Sequence, residues 1–262
     1  MISVIIPSYR NPKCLDICLE SALRGQDKDN EIICILDGYP KESANVLEKY
    51  KNDVNFLPLP ENKGMQYALN MGVYNASYDK VLIVNDDNVF PIDWDKILLE
   101  DYNDNLILTP NQIEKAESLF NFETNDLGSP DNFDLENFFN EELNHRKNNI
   151  TDDGGIFPFL ISKKKYMMVG GFDTLYPSPF ICDWDFFLKC EIAGMETKRS
   201  RKLCFYHFGS VSTKNGKEGE RFKQSELQAV DLYKYKWGFD MVLNEDNSHS
   251  PKGQTIKGIR YE

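Results

Sequence analysis

Two hydrophobic periods alternate along the first part of the chain. Ser3–Pro7 (SVIIP), Glu31–Leu36 (EIICIL) and Val81–Val84 (VLIV) are apolar on successive positions. Strands of that kind need both faces covered, as in the interior of an α/β sheet. Between the first two, Leu15, Cys18, Leu19, Ala22 and Leu23 recur at helical spacing, with Pro12 suited to the first turn and Gly25 to the end. Strand, helix and strand in succession predict a βαβ unit with a parallel pair. A weaker helix over Ser43–Tyr50, a short strand over Val54–Leu57 and a helix from Met65 to Tyr74 continue the alternation. This makes the run beginning at Lys80 the fourth strand.

Further on, Leu135, Phe138, Phe139 and Leu143 are spaced for a short amphipathic helix inside an acidic, aromatic stretch. The run PFICDWDFFLKCEIAGME reads as a helix with Phe186, Phe187, Cys190 and Ala193 on its apolar side, closed by Gly194. Lys202–Phe208 reads as a late strand and Ser225–Trp237 as a helix, and a polar, loosely held tail is expected after Asn244.

Composition narrows the function. The 262 residues carry a net charge of -12, which argues against a broad electrostatic grip on nucleic acid or anionic lipid. No window approaches the roughly 18 apolar residues of a membrane span. MISVIIPSYR has neither a basic region before its apolar run nor a small-residue cleavage site, so it does not read as a signal peptide. None of the six cysteines forms a CxxC pair; buried thiols in a reduced, cytoplasmic setting are expected.

The chemistry lies where the strands end. Asp37 follows the second strand, and Asn85-Asp86-Asp87-Asn88 follows the fourth. Parallel neighbours bring their carboxyl ends to one edge, so the three acids can converge on one cleft. Asp and Asn also form ordinary turns. Carboxylates at the rim of a core need a counter-charge, water or a metal ion. PSYRNP lacks GxGxxG, and GxxxxGK[ST] is absent, which argues against a dinucleotide site or a P-loop. Phosphate, if bound, is better met by carboxylate-held magnesium or manganese. Downstream, Asp183 and Asp185 fall in the first turn of a helix, where the dipole favours carboxylates. His207 lies on the late strand, and Lys214 and Lys217 in a basic loop that could reach phosphate.

In order along the chain, SVIIPSYRNPKCLDICLESALRGQ, ILDG, ENKGMQYALNMGV and LIVNDDNVFP resemble the successive motifs of family-2 glycosyltransferases of the GT-A fold, a likeness that runs over about residues 1–210. The resemblance implies a nucleotide-sugar site that includes Pro7, Ser8, Tyr9, Asp37, Asn62, Gly64, Asn70, Asp86 and Asp87. In it Asp37 contacts the base, Asp86 the ribose or metal, and Asp87 the metal. NxGxxxAxN is matched by Asn62, Gly64, Ala68 and Asn70, with Leu69 where Arg is usual. GGFD (Gly170–Asp173) resembles the turn before the family's catalytic acid. In the EDxDLxxR pattern that follows, Cys182 replaces Glu, Asp183 and Asp185 are in register, and Lys189 replaces Arg.

By this resemblance Asp183 is the general base, Gly171, Trp184 and Asp185 lie on the acceptor side, and His207 is a second metal ligand. It implies a Mn²⁺- or Mg²⁺-dependent, inverting hexosyltransferase-type enzyme. The donor is a nucleotide-diphosphate sugar, a UDP-sugar being the first candidate, and the acceptor is a hydroxyl of a glycan or another molecule. It also implies one domain over residues 1–243: a nucleotide-sugar-binding half (1–110), an acidic excursion (111–153) and an acceptor and catalytic half (154–243), before the tail at 244–262. The departures at Cys182 and Leu69 leave open a catalytically weak or inactive nucleotide-sugar-binding module. A nucleotidyltransferase is a third reading, but the chain lacks a Gly/Lys/Arg-rich loop after its first strand.

Overall fold

In the computed structural model, which describes residues 1–38, 40–117, 120–209, 216–244 and 249–251, the alternating first part builds four strands. These are β1 (Ser3–Ser8), β2 (Glu31–Asp37), β3 (Asn55–Leu59) and β4 (Lys80–Ile83), separated by α1 (Pro12–Gly25), α2 (Ala44–Tyr50) and α3 (Met65–Asn75). They lie in the order β3-β2-β1-β4, all parallel. The chain moves outward to β3 and then crosses back to place β4 on the other side of β1. That reversal opens a crevice at the carboxyl ends of β1 and β4.

The second part extends the sheet with β5 (Asn88–Val89), α4 (Trp94–Asp101), β6 (Leu106–Glu114), β7 (Glu123–Thr124), α5 (Leu135–Glu142), β8 (Ile150–Thr151), β9 (Phe159–Ser162), α6 (Lys163–Met168), α7 (Cys182–Ile192), β10 (Glu196–His207) and α8 (Gly216–Trp237). A separate hairpin pairs β11 (Met241–Leu243) with β12 (His249–Pro251). The full order is β3-β2-β1-β4-β9-β6-β10-β5, with β7 beside β6 and β8 beside β10. β9 is antiparallel to both β4 and β6, and β10 is parallel to β6. Two reversals restore direction, so β4, β6 and β10 all end at the edge where β1 and β2 end.

Alternate residues of the strands feed opposite cores, as period two requires. Ile5, Ile33, Ile35, Val81 and Ile83 face α3, α6, α7 and α8, whereas Val4, Ile6, Ile32, Cys34 and Leu82 face α1, α2 and α4. α3 lies so close to the sheet that a Cβ on Gly72 would come within 2.4 Å of Ile5 and 2.7 Å of Ile35. The stretch expected to form an acidic excursion from residue 111 begins as the end of β6. It also carries α5, whose Phe138 and Phe139 pack with Ile113, Cys204 and Tyr206 in a third cluster. α8 begins before the expected Ser225. Lys214, the side chain of Lys217 and most of the tail lie outside the described residues. All six cysteines are buried and unpaired. No helix among the described residues is long and apolar enough to cross a membrane.

Candidate active site

The crevice is walled by the residues that follow β1, β2 and β4. Asp86 is 8% exposed and takes hydrogen bonds from Ser8 Oγ at 2.6 Å and Asn11 Nδ2 at 3.1 Å. Burial and the charge of Asp87 push its carboxyl up to about 7, against the opposing pull of Ser8, Asn11 and the Tyr9 backbone N–H. Ser8, beside Leu36, ends the β1 pairing, so the chain leaves the sheet at the rim from Tyr9. Asp37, also buried, accepts from the backbone N–H of Lys63 at 2.6 Å and of Gly64 at 2.9 Å. It thereby fixes the turn carrying the exposed Asn62 against the end of β2. Burial raises its carboxyl above the usual range despite those two donors.

Asp87 meets a histidine from the far side of the sheet. A register shift in β10 between Ser200 and Cys204 sets His207 opposite Glu114 of β6 and opposite Asn88 of β5. His207 Nε2 lies 3.5 Å from Asp87 Oδ2, and Nδ1 lies 2.7 Å from Glu114 Oε1. Burial opposes a charge on the ring, but Asp87 and Glu114 outweigh it and push the imidazole up to about 10. A carboxylate on one ring nitrogen is the usual way a protein turns the other nitrogen toward a cation. Among the described residues no group of three His, Cys, Asp or Glu could by itself hold a metal ion. The donor chemistry of the Asp87–His207 pair fits Mg²⁺ or Mn²⁺ held by one or two side chains, with phosphate oxygens and water supplying the rest.

A second group of polar side chains gathers at the turn before α7 and the start of that helix. Asn70 of α3 accepts from Tyr166 Oη at 2.7 Å and from the Phe172 N–H at 2.9 Å, and donates to the Phe172 carbonyl at 2.8 Å. Its amide thus clamps the Gly170–Asp173 turn. Gly171 is required there: its φ is +66°, and a Cβ would stand 2.4 Å from Asn70 Oδ1. At the start of α7, the half-buried Asp183 accepts from the backbone N–H of Trp184 at 2.9 Å. Burial, opposed only by backbone donors, pushes its carboxyl up to about 6. Trp184 packs at the margin of the core. Asp185, fully buried, points into the protein and is met by Tyr176, Lys189, Lys236 and Trp237.

Comparison with known proteins decides what this arrangement belongs to. A family model described as "Glycosyl transferase family 2" matches residues 3–167, more than half of the chain. The chain belongs to glycosyl transferase family 2. An uncharacterized glycosyltransferase of Haemophilus influenzae is 28% identical over 193 residues, covering 72% of this chain and 61% of that protein. A poly-beta-1,6-N-acetyl-D-glucosamine synthase of Staphylococcus epidermidis is 31% identical over 106 residues, covering 40% of this chain and 26% of the synthase. The chain therefore spans 61% and 26% of the lengths of these two relatives. Crystal structures of S. aureus TarS share the fold. The full protein superposes with a TM-score of 0.59 at 15% identity over 89% of this chain and 39% of TarS. TarS 1-349 in complex with UDP superposes with a TM-score of 0.55 at 17% identity over 91% of this chain and 72% of that one.

The mixed sheet flanked by helices is thus the GT-A fold expected of a family-2 chain. Ser8, Asp37, Asp86, Asp87 and His207 lie at the strand ends along one sheet edge, whereas Asn70 holds the 170–173 turn and Asp185 the first turn of α7. Three contributors were not expected from sequence: Asn11, Glu114 and Gln66, whose Nε2 donates to the carbonyls of Tyr176 at 3.2 Å and Ser178 at 2.5 Å. Asn11 sits in a turn before a helix and reads as a cap. Glu114 is marked only by its register with His207.

Proposed function

We propose that this family-2 protein is a glycosyltransferase that moves a sugar from a nucleoside-diphosphate sugar, a UDP-sugar first, to an acceptor hydroxyl with inversion. The observation that carries the reading is the meeting of Asp86, Asp87 and His207 at one sheet edge with a separate, raised carboxyl, Asp183, on the adjoining helix. The TarS fold, one structure of which holds UDP, supports the choice of donor.

In this reading Asp37 and the turn it fixes receive the nucleoside, and Asp86, oriented by Ser8 and Asn11, receives the ribose. Asp87 and His207 would hold Mn²⁺ or Mg²⁺, which neutralises charge on the departing diphosphate. Glu114 keeps the His207 ring turned toward that position. Asp183 accepts the proton of the acceptor hydroxyl as its oxygen attacks the anomeric carbon from the face opposite the diphosphate. A carboxyl raised to about 6 is still ionised at neutral pH, yet more basic than an ordinary one.

The test is release of UDP from UDP-glucose, UDP-galactose and UDP-N-acetylglucosamine, with and without an acceptor panel, in Mn²⁺ or in EDTA. One donor is expected to turn over only with the metal, and Asp87→Ala should lose at least about a hundredfold. Full activity in EDTA or in Asp87→Ala would overturn the metal assignment.

A further inference from the structure

Asp183 and Asp185 stand two residues apart in α7, about 200° around a helix. They do not face the same side: Asp185 is fully buried, whereas Asp183 is half-buried. The Asp185 carboxylate is 0% exposed and is the buried end of an ion cluster that reaches the surface through Lys236 and Asp173. Its Oδ1 receives Trp237 Nε1 at 2.8 Å, Tyr176 Oη at 3.3 Å and Lys236 Nζ at 2.7 Å, and Lys189 Nζ lies 3.3 Å from Oδ2. Lys236 also reaches Asp173 Oδ2 at 2.8 Å, and Lys189 donates to the Gly171 carbonyl at 2.5 Å. Two acids and two lysines balance in charge and join three pieces of chain: the turn over 170–173, the first turns of α7 and the last turn of α8.

The joint holds a strained entry to the helix. Ile181, β-branched and 3% exposed, has φ +70° and ψ -32° immediately before α7, in a region bulky residues avoid. Such a conformation persists only where its surroundings over-determine it. The Asp185 N–H closes the first turn on the Ile181 carbonyl at 3.3 Å, so whatever fixes Asp185 also fixes the turn from which Asp183 projects. From the donor side, Gln66 and Asn70 of α3 hold the 172–178 segment that carries Tyr176. Such a cluster is a weak source of net stability: burying the Asp185 carboxylate costs desolvation that rivals its attraction to the lysines, and the Lys236–Asp173 pair is solvent-screened. Its value here is geometric.

We infer that Lys236 and Trp237, at the end of α8, are positioning residues for the base: through Asp185 they fix the height and rotation of the first turn of α7, and so the reach of Asp183. This inference rests on Asp183 being the base. It makes the last turn of α8 part of the transfer machinery, though none of its side chains need touch substrate.

The experiment compares Lys236→Met, Lys236→Arg, Trp237→Phe and Asp183→Asn by kcat for UDP release from the UDP-sugar panel. Calorimetric UDP affinity in Mn²⁺ is measured alongside. Misplacing the base should lower kcat by about tenfold to a hundredfold in Lys236→Met while UDP affinity stays within about twofold. Lys236→Arg should recover most of the rate, and Trp237→Phe, which deletes one N–H, should show a smaller loss of the same kind. If Lys236→Met does not fold, Trp237→Phe decides. Wild-type kcat in the Lys236→Met and Trp237→Phe variants beside an inactive Asp183→Asn overturns the clamp alone. An active Asp183→Asn overturns the base and the clamp together.

Discussion

At the scale of single residues, Asp183 is the group whose environment makes the sharpest demand. Burial raises its carboxyl to about 6, so the base should be lost to protonation as pH falls, giving kcat an acid limb near that value. The same shift sets a stability signature. The folded value lies above the unfolded one, so the native state holds this proton more tightly. The cost of ionising it is absent below about pH 4 and complete above about pH 6. Asp183→Asn should therefore melt above the wild type at pH 8 and lose that advantage at pH 4; an equal difference at both pH values would contradict the assignment. The positions of Asp37, Asp86, Asp87 and His207 at strand ends, and of Asp183 in the first turn of a helix, were legible from residue type and neighbouring sequence. Asn11 and Glu114 were not, because only the packing of the α1 entry turn brings Asn11 to Asp86 and only strand register brings Glu114 to His207. The inward turn of Asp185 was hidden as well, since its partners Lys236 and Trp237 lie far along the chain.

At the scale of elements, the alternating half was readable because each strand is buried on both faces and each helix carries one apolar side. β6 escaped that reading because Pro110 interrupts it, and proline is rare in a central strand. The strand tolerates it where β10 shifts register, between Ser200 opposite Pro110 and Cys204 opposite Asn111. The first half of β10, ETKRS, is too charged to look like sheet. Arg199 is nonetheless 1% exposed, because its guanidinium donates to the carbonyls of Phe120 at 2.7 Å and Asp153 at 2.9 Å. The seat of α3 on the sheet gives a test of packing. Alanine at position 72 gains about 1 kcal/mol of helix propensity, but its Cβ would press on Ile5 and Ile35, and overpacking of that kind costs about 1–3 kcal/mol. The contacts are far inside van der Waals distance, so Gly72→Ala should lower the urea midpoint. A raised midpoint would show that α3 can lift away without loss.

At the scale of the whole molecule, one sheet edge gathers ends that are remote in sequence: β1, β2 and β4 from the alternating first part, β6 and β10 from beyond it. The short antiparallel β9 makes this possible, since it lets β6 and β10 run in the same sense as β4. The proposed base, Asp183, lies separately, on α7, a helix braced from α3 on one side and α8 on the other. In the proposed mechanism donor binding and proton transfer fall to different elements, so a change at Asp183 should separate them. The most direct measurement is the rate of UDP release from the UDP-sugar panel by Asp183→Asn relative to the wild type, with UDP affinity measured on the same samples. The predicted result is a fall of about a hundredfold or more with UDP affinity unchanged. An Asp183→Asn protein that releases UDP at the wild-type rate would contradict the account.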